Sequence, residues 1–500
     1  MEHVGVLIVG AGLSGIGAAH HLQAECPWAD YAIVEARGAL GGTWDLFRYP
    51  GIRSDSEMHT LGYSFRPWTG ETSIGDGASI RRYLADTAAA EGIDAKIRFH
   101  HRVLRADWST ADARWTVTLE RSTAAVADAA AAVETVQLTC GFLFSCSGYY
   151  RYDHGYQPDF AGMDRFGGTI VHPQQWPEDL VHAGKRVVVI GSGATAITLI
   201  PALAETAAHV TMLQRSPSYV VSLPMRSPVA GFLRRVLPRR WAAPVTRWAH
   251  ALLAQGMYTM SKRRPDRVRR VLRKGVAQQL PPGYDVDTHF NPRYDPWDQR
   301  LCIVPDGDLF TVISEGRASV VTDHVDTFTE AGVRLASGDE LEADIIVTAT
   351  GLELLFIGGI DLTVDGAAVR PSDKVTYKGM MLDGVPNFAL AFGYTNASWT
   401  LKAELTCNYV CRLLNHLHDR GLRQCMPVNR EPAGDSQAFL SLSSGYIARR
   451  AGDFPRQGRR FPWQVHESYL RDYRAMKLRG IEDHAMEFSN PAAAASSTQG

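Results

Sequence analysis

The chain has 500 residues, 45% of them hydrophobic, and a formal net charge of -1. Such a length provides for two or more domains with ample cores. The balanced charge gives no general attraction to nucleic acid or other polyanions.

The 7 cysteines are odd in number and include no CxxC pair. They argue against a disulfide framework or a zinc site and fit a reducing cytoplasm, so no metal is expected. Cys407 and Cys411 read as buried free thiols.

The opening MEHVGVLIVGAG lacks the basic n-region of a signal peptide and ends in glycines. Its residues 4–9 predict a buried parallel strand. A glycine-rich turn follows, then a helix to about His21 or Gln23, and YAIVE at 31–35 predicts the next strand. Strand-like pieces follow at 96–104, 114–119 and 142–146, with an Ala-rich hairpin loop expected around 124–132. The βαβ opening recurs at 186–215, where RVVVIGSG, ATAITLIPALAETA and HVTMLQR read as strand and turn, helix and strand. Residues 225–290 break the alternation and look helical and basic, and 341–349 predict another buried strand. The Ala- and Ser-rich end at 490–500 is expected to be disordered. No stretch is long and apolar enough to span a bilayer.

Gly10, Gly12 and Gly15 form GxGxxG between a strand and a helix. The first glycine permits a tight turn, the second lets the backbone approach a pyrophosphate, and the third lets helix and strand pack closely. The helix start then offers free N–H groups and a positive dipole end. Glu35 ends the second strand 20 residues after Gly15, where an acid accepts hydrogen bonds from a ribose. In the second unit Gly191, Gly193 and Ala196 form GxGxxA, and the following strand ends in Gln214, Arg215 and Ser216 without an acid. An arginine fork there suits the 2′-phosphate of NADPH. Two such sites imply electron transfer between two cofactors, FAD in the first and NADPH in the second. With no redox-active Cys pair, oxygen is the expected acceptor.

The expected fold is therefore α/β, with two Rossmann-like dinucleotide-binding domains and a helical insertion in the NADPH domain. The FAD domain is expected over 1–150 and 375–489, and the NADPH domain over 151–225 and 291–374. The insertion falls at 226–290.

Residues 166–177, FGGTIVHPQQWP, fit FxGxxxHxxxW(P/D) through Phe166, Gly168, His172, Trp176 and Pro177. Residues 41–55, GGTWDLFRYPGIRSD, fit (A/G)GxWxxxx(F/Y)P(G/M)xxxD through Gly41, Gly42, Trp44, Tyr49, Pro50, Gly51 and Asp55. With both nucleotide fingerprints, these segments resemble type I Baeyer–Villiger monooxygenases, the class B flavoprotein monooxygenases. The likeness runs from Val4 to about residue 480 and is nearest the ethionamide-activating group, judging also by PWDQRLC and GYTNASWTLKAEL.

The resemblance implies that NADPH reduces FAD, that O₂ adds to form a C4a-peroxyflavin, and that a ketone becomes an ester or lactone. Sulfides and thioamides are the close alternative substrates. It assigns Arg300 as the cation that stabilises the peroxide and Asp55 as the acid that positions it. Gly42 and Trp44 belong with the flavin-binding residues, and Asn396 resembles the segment that approaches the flavin ring. Phe166, Gly168, His172 and Trp176 are expected to couple domain movement to cofactor binding rather than to transfer protons. Where many family members carry Lys before the arginine, this chain has Gln299, which leaves more of the NADPH preference to Arg215 and Ser216. A NADPH–flavin reductase serving another acceptor is the competing function; it has no need of the Asp55–Arg300 pair.

Between Arg234 and Lys274 stand 13 Lys/Arg, and Asp266 is the only acid. Two readings stay open for this insert: a solvated helical cap over the substrate pocket, or peripheral contact with anionic lipid.

Overall fold

A computed structural model describes residues 1–122, 133–430, 436–440 and 442–491. The Ala-rich loop expected at 124–132 and all but the start of the expected disordered end lie outside the described residues.

The first unit opens with β1 (Glu2–Val9), α1 (Leu13–Glu25) and β2 (Tyr31–Val34). It continues through β3 (Ile97–Arg98), β4 (His101–Ser109), β5 (Arg114–Ser122) and β6 (Val133–Ser145). The apolar run of β1 is buried because the strand lies between β6 and β2, parallel to both. Within this unit two expected strands are redrawn. The run at 96–104 breaks where His100 takes φ 59°. The strand expected at 142–146 begins at Val133, because its first half pairs antiparallel with β5 while its second half runs beside β1.

The second unit contains β7 (Thr169–Val171), β8 (Arg186–Ile190), α2 (Ala194–Leu203) and β9 (His209–Gln214). Three helices follow: α3 (Pro228–Val236), α4 (Arg239–Arg263) and α5 (Pro265–Ala277). β10 (Ala318–Thr322) and β11 (Ile345–Thr348) complete a five-stranded parallel sheet in the order β10-β9-β8-β11-β7. The strand expected over 341–349 is thus two: Glu340–Glu342 belongs to a separate antiparallel sheet, and only β11 enters the parallel one.

The chain returns to the first sheet at Asp361–Val364, which pairs parallel with β4, and Ala367–Val369 extends that edge, so residues 361–369 join the first unit ahead of the boundary expected at 375. β12 (Phe388–Leu390) pairs parallel with β6, and α6 (Trp399–Asp419) packs on α1. Ile16 and Ala19 of α1 share one buried core with Leu405 and Tyr409 of α6.

Strand register positions the functional loops. Val9 pairs with Val34 and Ser145, so the loops after β1, β2 and β6 leave one carboxyl edge together. Ile190 likewise pairs with Leu213 and Thr348, which gathers the loops after β8, β9 and β11. Ligands of open α/β sheets bind outside such edges.

Candidate active site

Both edges open into one cavity of about 1130 Å³. Its lining contains Gly10, Gly12, Glu35, Gly42, Trp44 and Asp55 from the first unit, with Gly191, Gly193, Arg215, Ser216 and Arg300 from the second. Gly15, Ala196, Asn396, Phe166, Gly168, His172 and Trp176 stand outside that lining. None of residues 226–290 lines it either, so the insert does not cap this pocket.

The first turn is shaped by close backbone approach. Gly10 has φ +103°, and a Cβ on Gly15 would overlap the Gly10 carbonyl oxygen. A Cβ on Gly42 would come within 3.2 Å of the Gly12 Cα, so these two loops touch backbone to backbone. Gly12 and Gly193, the N-caps of α1 and α2, supply no side-chain cap, which leaves the first amides of both helices free for an anion. Ala196 is wholly buried beneath the second turn.

Glu35 is buried, and its two oxygens accept from the Ala11 and Arg37 amides at 2.8 and 2.9 Å. Burial pushes its carboxyl upward against the lowering effect of these donors. Each oxygen keeps a lone pair for a ribose hydroxyl. Arg37 closes the same corner: it pairs with Asp45 at 2.9 Å, and its guanidinium lies 5.8 Å from the Tyr152 ring.

Asp55 and Arg300 meet as a two-point ion pair, Nη2 to Oδ1 at 2.9 Å and Nε to Oδ2 at 2.8 Å. About a third of each side chain faces the cavity, 32% for Arg300 and 38% for Asp55. Burial pulls the guanidinium pKa down, but the Asp55 charge and three nearby phenols raise it, and the net shift is upward. Arg300 is therefore a permanent cation. The phenols are Tyr149, Tyr446 and Tyr150, all pushed up by burial and so kept as protonated donors at neutral pH. The Tyr149 and Tyr150 hydroxyls are 3.0 Å apart, and the Tyr149 ring stacks on Trp399 at 5.3 Å. Cys302 lies beside the pair, but burial pushes its thiol up to about 12, which makes it a poor nucleophile at neutral pH. Sequence reasoning missed the tyrosine cluster. Its one local signal is the GYY that follows the carboxyl end of a strand.

The residues present fit a flavin dinucleotide. The side-chain-free cradle and the open end of α1 suit a pyrophosphate; the Asn396 Oδ1, buried with no partner among the described residues, lies outside the cavity lining. Asn396 Nδ2 donates to the Glu467 carbonyl at 3.0 Å, which fixes the amide. A Cβ on Gly193 would meet nothing within 4 Å, so the second cradle is open as well. Arg215 and Ser216 are exposed at its rim.

The 166–176 segment links elements rather than lining the cavity. His172 Nε2 donates to the Gly351 carbonyl at 3.2 Å, and its Nδ1 accepts from the Gln174 amide at 3.2 Å. That pairing fixes the neutral tautomer, and burial lowers the ring's pKa accordingly. Gly351 itself lines the cavity, so His172 holds a cavity loop from behind. Phe166 packs edge-on against Phe328, a side chain on Gly168 would overlap the Asp344 carbonyl, and Trp176 packs on the core containing Leu199 and Val347.

Similarity to known proteins agrees with this construction. Residues 79–246 match the family "Flavin-binding monooxygenase-like", and residues 8–69 match "NAD(P)-binding Rossmann-like domain". The FAD-containing monooxygenase EthA of Mycobacterium tuberculosis is 52% identical over 489 residues, covering 98% of each chain. A steroid monooxygenase bound to NADP shares the fold with TM-score 0.68 at 23% identity, over 85% of this chain and 88% of that one. The polycyclic ketone monooxygenase of Thermothelomyces thermophila does so with TM-score 0.77 at 18% identity, over 98% of this chain and 90% of that one. With a relative so similar over nearly its whole length, the chain belongs to the family of FAD-containing monooxygenases.

Proposed function

We propose that the protein uses FAD, NADPH and O₂ to insert one oxygen atom into a ketone, giving an ester or lactone, and that it also oxygenates sulfides or thioamides. The observation that carries this reading is the Asp55–Arg300 pair, a fixed cation facing a cavity shared by two nucleotide cradles. The ketone and NADP in the names of the structural neighbours support it. When bound, FAD supplies hydride acceptance and the reaction with O₂.

In this reading residues 1–150 and 375–489 hold FAD, joined by 361–369 of the first sheet, and 151–225 and 291–360 hold NADPH. The α1 amides bind the FAD pyrophosphate, and Glu35 accepts from its ribose. The α2 amides bind the second pyrophosphate, and Arg215 with Ser216 takes the 2′-phosphate. Arg300 stabilises negative charge that develops at the reacting oxygen, in a site where a preorganised cation needs no reorientation. Asp55 holds both nitrogens of that fork, so the guanidinium keeps one orientation. Tyr149, Tyr150 and Trp399 wall the cavity against water. His172 positions the Gly351 loop and transfers no proton.

The test is Arg300→Ala, followed by NADPH consumption and by mass spectrometry on a ketone and sulfide panel. The expected variant still oxidises NADPH but adds no oxygen to any substrate. Normal product formation by it would refute the assignment. Wild-type NADPH oxidation without any oxygenated product would point instead to the reductase.

A further inference from the structure

Helix α4 is inverted relative to an ordinary surface helix. Its buried face carries Thr246, Arg247, His250 and Ser261 beside two alanines. Those polar groups are satisfied within the chain. Arg247 donates to the carbonyls of Thr60 at 3.1 Å and Gly62 at 2.5 Å and pairs with Glu404. His250 meets Ser227 at 3.0 Å and also pairs with Glu57.

The opposite face is apolar and open. Trp241 is 54% exposed, Leu252 51%, Leu253 58% and Met260 56%. At 100° per residue Trp241, Val245, Leu252 and Met260 fall within an arc of about 100°, and the stripe runs about 29 Å along the axis. Between Trp241 and Met260 the only charged residue is Arg247, and it points inward. Exposed Phe232 and Val236 on α3 and Val271 on α5 add to it. Exposed large apolar side chains gathered along one helix face mark an interaction site.

Charge selects the occupant. Arg239 and Arg240 precede the stripe, and Arg263 and Arg264 follow it. These four are exposed and form no ion pair among the described residues. By helical spacing Arg263 projects along the line of Val245, on the apolar side. A second copy packed about a two-fold axis sets arginine against arginine whichever way the helices run. An anionic surface neutralises both ends at once. No helix among the described residues is long and apolar enough to cross a membrane, so α4 must lie along such a surface.

We propose that the α3–α5 face docks the protein on an anionic lipid bilayer, with α4 in the interfacial plane, its apolar stripe among the acyl chains and its terminal arginines at the headgroups. Its inner face grips Glu57 and the carbonyls of residues 60 and 62, so the docked helix holds the chain a few residues beyond Asp55.

The test is flotation of the FAD-loaded full chain with vesicles of phosphatidylcholine alone or mixed with phosphatidylglycerol, at low and high salt. Expected is binding to the mixed vesicles only, weakened by salt. Leu252→Ser with Leu253→Ser and Met260→Ser abolishes it. Arg239→Glu with Arg240→Glu lowers partitioning by roughly thirty-fold or more, from the near-surface worth of each arginine. All these side chains are exposed, so thermal midpoint and NADPH oxidation stay at wild-type values and exclude misfolding as the cause. Absence of vesicle binding, or equal binding to both vesicle types, overturns the proposal. So does a dimer that the serine variant disperses without any vesicle binding, an outcome that gives the face to a second copy.

Discussion

Replacing Asp55 with Asn separates the charge of the pair from its shape. The carboxylate receives Nη2 at 2.9 Å and Nε at 2.8 Å, and an amide keeps one acceptor while losing the charge. A hydrogen bond to a charged group contributes about 1.5–3 kcal/mol. One such bond is lost and the other weakened, in a pair about one-third exposed and thus partly screened, so the expected cost is about 1–2 kcal/mol. For a chain of this size, whose unfolding entropy is about 1 kcal/mol/K, that lowers the thermal midpoint by only about 1–2 °C. Activity should suffer more. A guanidinium held at one point instead of two wanders, and misplacement of a catalytic group by an ångström costs about 10²-fold. Oxygenated product should therefore fall roughly a hundredfold in kcat while NADPH binding holds. A cycle of Asp55→Ala, Arg300→Ala and the double variant, read by chemical denaturation, should show coupling of about 1–2 kcal/mol. If the single effects add to within about 0.5 kcal/mol, or Asp55→Asn turns over normally, the pair does not act as a unit.

Arg215→Ala should raise KM for NADPH by roughly 10–100-fold and leave KM for NADH nearly unchanged, as loss of one charge-assisted fork requires; equal changes for both would remove the residue from the 2′-phosphate site. Arg247→Ala should destabilise the fold by about 3–5 kcal/mol, because Glu404 and the loop carbonyls lose their buried partner. Adding Glu404→Ala should recover part of that loss in urea unfolding, and no recovery would mean that the stranded carboxylate is not the cause. His59 is half-buried, and burial, with a smaller contribution from Arg234, pulls its pKa from 6.5 to about 4. Between those values the unfolded chain binds a proton that the folded one excludes, so stability rises with pH across the window and falls on acidification. His59→Gln should flatten the dependence of unfolding midpoint on pH between about 4 and 6.5, and an unchanged slope would acquit this residue.

What the sequence showed depended on how local the information was. The Gly10–Gly15 turn, Glu35 and the second cradle were readable because each is encoded within one strand-turn-helix passage. Asp55 and Arg300 stand 245 positions apart, and only resemblance to a family joined them before the structure did. The tyrosine cluster was not readable, since Tyr149 and Tyr446 come from segments nearly 300 residues apart. Arg247 was counted with a solvated basic run, but its partner Glu404 lies 157 residues away and draws it inside. The same distance hid the inversion of α4. Charge spacing announced a basic helix, while only packing revealed that its apolar side faces out.

The return of β12 to β6 has a consequence for synthesis. On the ribosome, β1, α1 and β2 emerge first, yet β6 still lacks its β12 neighbour and α1 its α6 cover until residues 388–419 have been made. The second parallel sheet is complete by Thr348 and can close earlier. The nascent chain therefore carries an unfinished N-terminal half with an exposed helix face through most of translation. A release at residue 380 should yield a folded middle and an unsealed beginning, a species for chaperones and proteases to recognise.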